Sequence, residues 1–359
     1  VELLRGDNGS HYLQISQAAD LFAHYGLIFV MFHIGLGAYV IAQLRGLEAD
    51  SLKVAIIGAI TPMVLGLVAI LLLAPGLSHV GHIFIAATLG TTGFAVTSRV
   101  LGRLQQQDSR EARIILGAGA MDDVLGLVML AIATGIAFSG SVAPADIGRT
   151  AIRAFLFLVC ALGLGPVFLR MLVRMLRRLD VVEAKLFVAF ILVIFLAGLA
   201  TLVQLSPVVG AFAAGLLMHE SHFRTWGDRR REEHSLEELF APLEVIIVPV
   251  FFVLMGIQVK LESLLDAQVI AIFVALLVAA VAGKWASGLG AQGGVNRVAI
   301  GAGMIPRGEV GLAFAFIGKS LGVITPVMFN VLVLVVVVTT LVTPLLLRLS
   351  AACSAQAAP

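Results

Sequence analysis

The sequence predicts an all-α, polytopic membrane protein, and three observations predict it. Of 359 residues, 60% are hydrophobic and 13% charged, with a mean hydropathy of +1.04; a soluble domain is nearer half apolar and a quarter charged. Apolar stretches long enough to cross a bilayer, which takes about 20 residues of helix, recur along the whole chain. Lys and Arg gather in alternate connections between those stretches, as they do on the cytoplasmic side of a membrane. A net charge of +2 makes no case for a nucleic-acid partner. Cys160 lies in an apolar run and Cys353 near the end, a pattern that suggests neither a disulfide framework nor a metal site.

Eleven candidate spans run near 17–42, 53–74, 80–101, 111–138, 147–171, 184–205, 207–219, 236–260, 266–290, 297–319 and 324–348. The seventh is short, and Ser206-Pro207 alone divides it from the sixth; proline restricts the residue before it and punctuates the helix there. One set of alternate connections holds Arg45 and Lys53, then Arg99, Arg103, Arg110 and Arg113, then Arg170, Arg174, Arg177, Arg178 and Lys185, then Arg224 and Arg229–Arg231, then Arg297 and Arg348. The other set holds only Arg5, Arg149, Arg153, Lys260 and Lys319. The C-terminus is therefore expected in the cytoplasm and the N-terminal stub outside. The chain opens at Val1 without Met, as a fragment would, and shows no signal peptide; an outside start without an earlier span hints at helices ahead of this sequence. Thr225–Glu238 reads as a solvated cytoplasmic connector, and the residues after Arg348 as a small, disordered tail.

A weak internal repeat is visible. Val250–Ile257 (VFFVLMGI) in the second half parallels Phe29–Leu36 (FVMFHIGL) in the first. Each is followed by an apolar helix and then by one interrupted by small or helix-breaking residues, at Gly90-Thr91-Thr92-Gly93 and at Ile305-Pro306-Arg307-Gly308. Paired interruptions in corresponding halves point to a transporter built from inverted repeats, with its substrate at the midplane.

Ionisable groups inside spans carry the chemistry, because each costs about 2.5–3.5 kcal/mol to insert and is therefore functional or paired. Asp122 and Asp123 lie mid-span between apolar runs. Neighbours on a helix point about 100° apart, so one carboxylate can face a water-filled cavity while the other faces a second helix; solvated acids at a helix end are the blander reading. Lys284 lies deep in its span, where it either pairs with a carboxylate or snorkels to the interface. Arg307 and Glu309 flank Gly308 directly after Pro306; they serve transport directly or form a structural ion pair. Pro306 frees backbone carbonyls that are candidates to coordinate a cation or water. Thr92 is a candidate ligand through its hydroxyl or carbonyl, or else bonds back to its own helix.

Arg113–Leu127 (RIILGAGAMDDVLGL), Thr97–Leu101 (TSRVL), Pro249–Gly256 (PVFFVLMG) and Gly303–Leu312 (GMIPRGEVGL) resemble the monovalent cation–proton antiporter-2 family, which includes bacterial sodium/proton antiporters and Kef-type potassium/proton systems. The resemblance covers nearly the whole chain. It implies an inverted-repeat sodium/proton antiporter fold with two unwound, crossing helices, a homodimer in the lipid of a bacterial inner membrane, and no cofactor beyond the transported cation and proton. By motif, Asp123 would be the main ion and proton site, with Thr92 beside it as a transient cation ligand. Asp122 would pair with Lys284, and Pro306, Arg307 and Glu309 would support the crossing. The implied organisation is a stub and dimerisation-domain helix over 1–52, core helices of the first repeat over 53–140, linker and dimerisation helices over 141–265, core helices of the second repeat over 266–348 and a cytoplasmic tail over 349–359.

The sequence departs from the family in three ways: fewer helices before 17–42, a more glycine-rich Gly90–Gly93, and no soluble nucleotide-binding domain after the last helix. The Kef-type motif has Gln in place of Asp122. The expected activity is electrogenic exchange of Na+ or Li+ for protons, with K+ open. The alternatives weighed are a Kef-type potassium/proton system, a sodium-coupled organic-anion symporter of the same fold, a passive channel, and an intramembrane aspartyl protease. The last needs two acids facing across a gap from different helices, which an adjacent pair on one helix does not offer; the chain is not expected to be an enzyme.

Overall fold

The computed structural model describes residues 21–37, 49–106, 109–139, 144–176, 181–219, 223, 235–260, 262 and 266–356. The expectations for the N-terminal stub, Arg5, Arg45, Arg177, Arg178, Arg224, Arg229–Arg231 and most of the Thr225–Glu238 connector lie outside the described residues. Among the described residues all regular structure is helical. In chain order come α1 (Leu21–Gly37), α2 (Ala49–Leu73), α3 (His79–Gly90), α4 (Phe94–Arg103), α5 (Arg110–Ser139), α6 (Pro144–Met175), α7 (Val181–Leu202), α8 (Pro207–Leu217), α9 (Leu236–Ile257), α10 (Ala267–Trp285) with a 3₁₀ turn at Ala286–Gly290, α11 (Arg297–Met304), α12 (Glu309–Ser320) and α13 (Pro326–Gln356).

Eight apolar helical stretches among the described residues are long enough to cross a membrane, and α1, α3 and α8 are shorter apolar helices. Their ends follow local chemistry. Ser78 accepts a hydrogen bond from Gly81 N at the start of α3, Asp266 from Gln268 N at the start of α10, and Ser235 forms a reciprocal capping box with Glu238 at the start of α9. Gln204, at φ +63°, turns the chain between α7 and α8, and Pro207 then opens α8, where its missing N–H is no loss. α13 runs on through Gln356 instead of ending near Arg348. The alanine-rich Ala351-Ala352-Cys353-Ser354-Ala355 is a better helix former than its small-residue composition suggests.

The chain divides into two units. One comprises the described parts of Val1–Val40 and Ile152–Gln258: α1, most of α6, and α7 to α9. Here α1 and α8 cross at near backbone contact, because a Cβ on Gly35 would lie 2.3 Å from Phe212 O and one on Gly215 2.1 Å from Phe32 O. The other comprises the described parts of Ile41–Ala151 and Val259–Pro359: α2 to α5 and α10 to α13. Its apolar core joins Val54 of α2, Leu101 of α4, Ile114, Ile115 and Ala118 of α5, and Ile300 and Met304 of α11. Of the residues in an 18-residue apolar run, 94% are buried within Arg297–Ser320 and 17% within α9. The broken helix is thus interior to its unit, while α9 presents Val245, Ile246, Val253 and Ile257 outward, as a lipid-facing helix does.

Candidate ion-binding site

Both sequence interruptions are real breaks in helices, and they meet. α3 stops at Gly90, Thr91–Gly93 is non-helical, and α4 follows; α11 stops at Met304, Ile305–Gly308 is non-helical, and α12 follows. Gly93 N donates to Pro306 O at 2.7 Å, which ties one break to the other. A Cβ on Gly93 would fall 2.3 Å from Gly308 N, and one on Gly308 2.9 Å from Gly93 Cα. Only glycine lets two backbones come this close.

The C-terminal end of α3 leaves carbonyls without intrahelical donors, and it is the negative end of the helix dipole. Two fully buried cations fill it. Lys284, in the last turn of α10, uses all three ammonium protons: on Gly90 O at 2.6 Å, on Thr92 Oγ1 at 2.5 Å and on Asp122 Oδ2 at 3.1 Å. Arg307 Nη1 donates to Leu89 O and to Thr91 O at 2.9 Å, and Nη2 reaches Ala280 O at 3.4 Å. α10 comes near enough because Gly283 lies against Pro62 of α2, where a Cβ would sit 2.4 Å from Pro62 Cα. Lys284 is 0% exposed and does not snorkel to an interface.

Asp122 and Asp123 sit mid-way along α5, 1% and 3% exposed. Asp122 Oδ1 is buried without a hydrogen-bond partner among the described residues, so this carboxylate is held on one oxygen by Lys284. Among the described residues none donates a hydrogen bond to Asp123. Glu309 opens α12, where an acid suits the positive end of the helix dipole. The expected alternative of an Arg307–Glu309 ion pair is not what forms: Arg307 directs its hydrogen bonds to the backbone carbonyls of Leu89, Thr91 and Ala280. Thr92 does not bond back to its own helix either; that role falls to Thr91, whose hydroxyl donates to Thr88 O at 3.0 Å. Asp122, Thr92, Lys284, Arg307 and Pro306 are brought into one buried cluster, with Asp123 next to Asp122 on α5 and Glu309 at the start of α12. The arrangement can exchange a small cation against protons on a carboxylate that has no fixed donor.

Two hydroxyls at the site were not singled out in the sequence. Thr97 of α4 donates to Gly303 O at 2.6 Å, and Thr340 of α13 donates to Arg307 O at 2.5 Å. Thr97 opens the Thr97–Leu101 motif, but nothing in that motif shows that its hydroxyl meets Gly303 O, and Thr340 carries no local sequence signal. His33 of α1 and Glu244 of α9, 3.2 Å apart within the other unit, were also missed. An acid well inside an apolar helix is the signal that would have flagged Glu244.

This geometry defines a secondary cation/proton antiporter. The sequence matches the transmembrane domain of the sodium/hydrogen exchangers over residues 8–350, and the chain belongs to that family. It is 33% identical over 346 residues to the high-affinity Na(+)/H(+) antiporter NhaS3 of Synechocystis, covering 93% of this chain and 71% of that one. It is 29% identical to the Na(+)/H(+)-K(+) antiporter GerN of Bacillus cereus, covering 94% and 84%. The fold is similar to that of the sodium proton antiporter MjNhaP1 of Methanocaldococcus jannaschii, with a TM-score of 0.64 at 19% identity, covering 93% of this chain and 86% of that one.

Proposed function

We propose that this chain exchanges Na+ or Li+, and K+ less readily, for protons, with Asp123 as the carrier carboxylate. One observation carries the reading: two adjacent buried acids stand in different company, Asp122 on the Lys284 ammonium and Asp123 without a donor among the described residues. A cation arriving at Asp123 competes with a proton for the same carboxylate and displaces it. Thr92, whose oxygen Lys284 occupies, becomes a transient cation ligand when Lys284 lets go. Breaking the Lys284–Asp122 pair releases a second proton, so that two protons move per cation and transport is electrogenic. Pro306, Arg307 and Glu309 hold the crossing. Sodium-directed relatives support Na+, and the potassium in the name of the GerN relative makes K+ a necessary comparison.

In this reading the first-repeat helices over 53–140 and the second-repeat helices over 266–348 form the mobile core, and it rocks against the dimerisation helices of a homodimer about a fixed midplane site. The C-terminus lies in the cytoplasm of a bacterial inner membrane, and no resident cofactor takes part. The test is purified protein in proteoliposomes with an imposed pH gradient, given Na+, Li+ and K+ in turn. Saturable, gradient-coupled cation flux is expected. Asp123→Asn abolishes it, and Asp122→Asn leaves exchange that no longer responds to membrane voltage. Normal coupled flux in Asp123→Asn removes this residue as the carrier.

A further inference from the structure

We propose that Thr340 is a positioning residue for cation binding, acting through the main chain of Arg307; this rests on the antiport reading above. A threonine inside a helix ordinarily donates its hydroxyl to a carbonyl one turn back. Two neighbours on α13 do so: Thr339 donates to Val335 O at 2.8 Å and Val336 O at 3.0 Å, and Thr343 donates to Thr339 O at 2.7 Å. Thr340 instead donates to Arg307 O at 2.5 Å, across 33 residues of chain.

That carbonyl belongs to the peptide joining Arg307 to Gly308, in the middle of the second break. A non-helical segment has no ladder to fix its peptide planes, and here each plane is set by whatever donor reaches it. Gly93 N holds Pro306 O at 2.7 Å, and Thr340 holds the next carbonyl. On either side of the held peptide stand the two charged residues that matter. Arg307 on its N-terminal side sends its guanidinium into the carbonyls of Leu89, Thr91 and Ala280. Glu309, one residue beyond Gly308, opens α12. Turning the 307–308 peptide moves both. Gly93 packs against one side of that peptide, close to Arg307 C and Gly308 N, and the Thr340 hydroxyl is the side-chain donor that holds its carbonyl oxygen. The Thr340 hydroxyl therefore sets the electrostatic environment of the carrier carboxylate without touching the ion, and its loss weakens cation binding more than it slows turnover.

The experiment is Na+-dependent exchange by the full chain in proteoliposomes, read as the half-saturating cation concentration and the maximal rate, with folding followed by size exclusion and thermal melting. Thr340→Val is expected to raise the half-saturating concentration about tenfold, the scale of one lost hydrogen bond that leaves a buried acceptor, with the maximal rate within about twofold. Thr340→Ser restores the wild-type value. Thr339→Val and Thr343→Val, whose hydroxyls serve only their own helix, stay at wild type. Should Thr340→Val not fold, Thr340→Ala is read on the same scale. The proposal is overturned by an unchanged half-saturating concentration in the hydroxyl-less variant, by a Ser variant as impaired as Val, or by equal effects at Thr343. A wild-type protein without gradient-coupled exchange overturns the antiport reading itself, which separates the two failures.

Discussion

The two broken helices solve the same problem by opposite means. Each ends abruptly inside its unit and leaves carbonyls that water cannot reach. At the end of α3 the donors are charged: Lys284 takes Gly90 O, and Arg307 takes Leu89 O and Thr91 O. At the end of α11 the donors are neutral: Thr97 takes Gly303 O, Gly93 N takes Pro306 O and Thr340 takes Arg307 O. The asymmetry follows from what lies alongside. The cations at the first break also answer the buried Asp122, which Lys284 contacts directly and whose charge acts on Arg307. A dipole end and a carboxylate together make two buried cations tenable, where either alone would leave them undercompensated. At the second break the orphan carbonyls of Gly303, Pro306 and Arg307 are each met by a hydroxyl or a backbone N–H. One break is thus built to hold charge that can be redistributed, the other to hold shape.

Removing a donor from each break tests that difference. The largest effect is expected at the charged end: Lys284→Ala strips the partner from Asp122 as well as from Gly90 O, and breaking a buried pair costs about 3–5 kcal/mol. A steep drop in melting temperature, or no folded peak in size exclusion, is the expected outcome; near wild-type stability would mean that Asp122 is already neutral in the folded protein. Gly93→Ala strikes the point where the breaks touch, with a Cβ 2.3 Å from Gly308 N, and overpacking there costs about 1–3 kcal/mol. Thr97→Val at the neutral end leaves only Gly303 O without its hydroxyl donor, worth about 1 kcal/mol, and should lower the melting temperature slightly with exchange retained. The smallest change is at Asp123: with no donor to lose among the described residues, Asp123→Asn should leave stability unchanged or raised while exchange disappears. A large destabilisation in Asp123→Asn would mean that the carboxylate is a structural partner and not a free carrier.

How much of this was readable beforehand differs along the same line. The charged break was legible, because Asp122, Asp123, Lys284 and Arg307 stand out against apolar sequence, and membrane insertion makes each of them expensive. Both interruptions were legible from Gly90–Gly93 and Ile305–Gly308. The neutral caps were not. Thr97 reaches Gly303 across 206 residues, and a hydroxyl in an apolar helix reads the same whether it bonds to its own turn, as Thr339 does, or to another segment, as Thr340 does. Whether Arg307 pairs with Glu309 was not legible from their nearness in sequence; Arg307 reaches instead across the fold to Leu89 O, Thr91 O and Ala280 O. The helical continuation of α13 to Gln356 was missed because small residues were taken for a tail.

The sequence alone determined that this chain lives in lipid, where its helices break, and that Asp122, Asp123, Lys284 and Arg307 stand inside spans, since hydropathy and the cost of an intramembrane charge are properties of residues in order. Which buried base meets which acid, and which oxygen each leaves free, was decided by the tertiary structure. Hydrogen bonds act over about 3 Å, and residues some 160 to 190 positions apart, such as Asp122, Thr92 and Lys284, come within that reach only once the helices have packed.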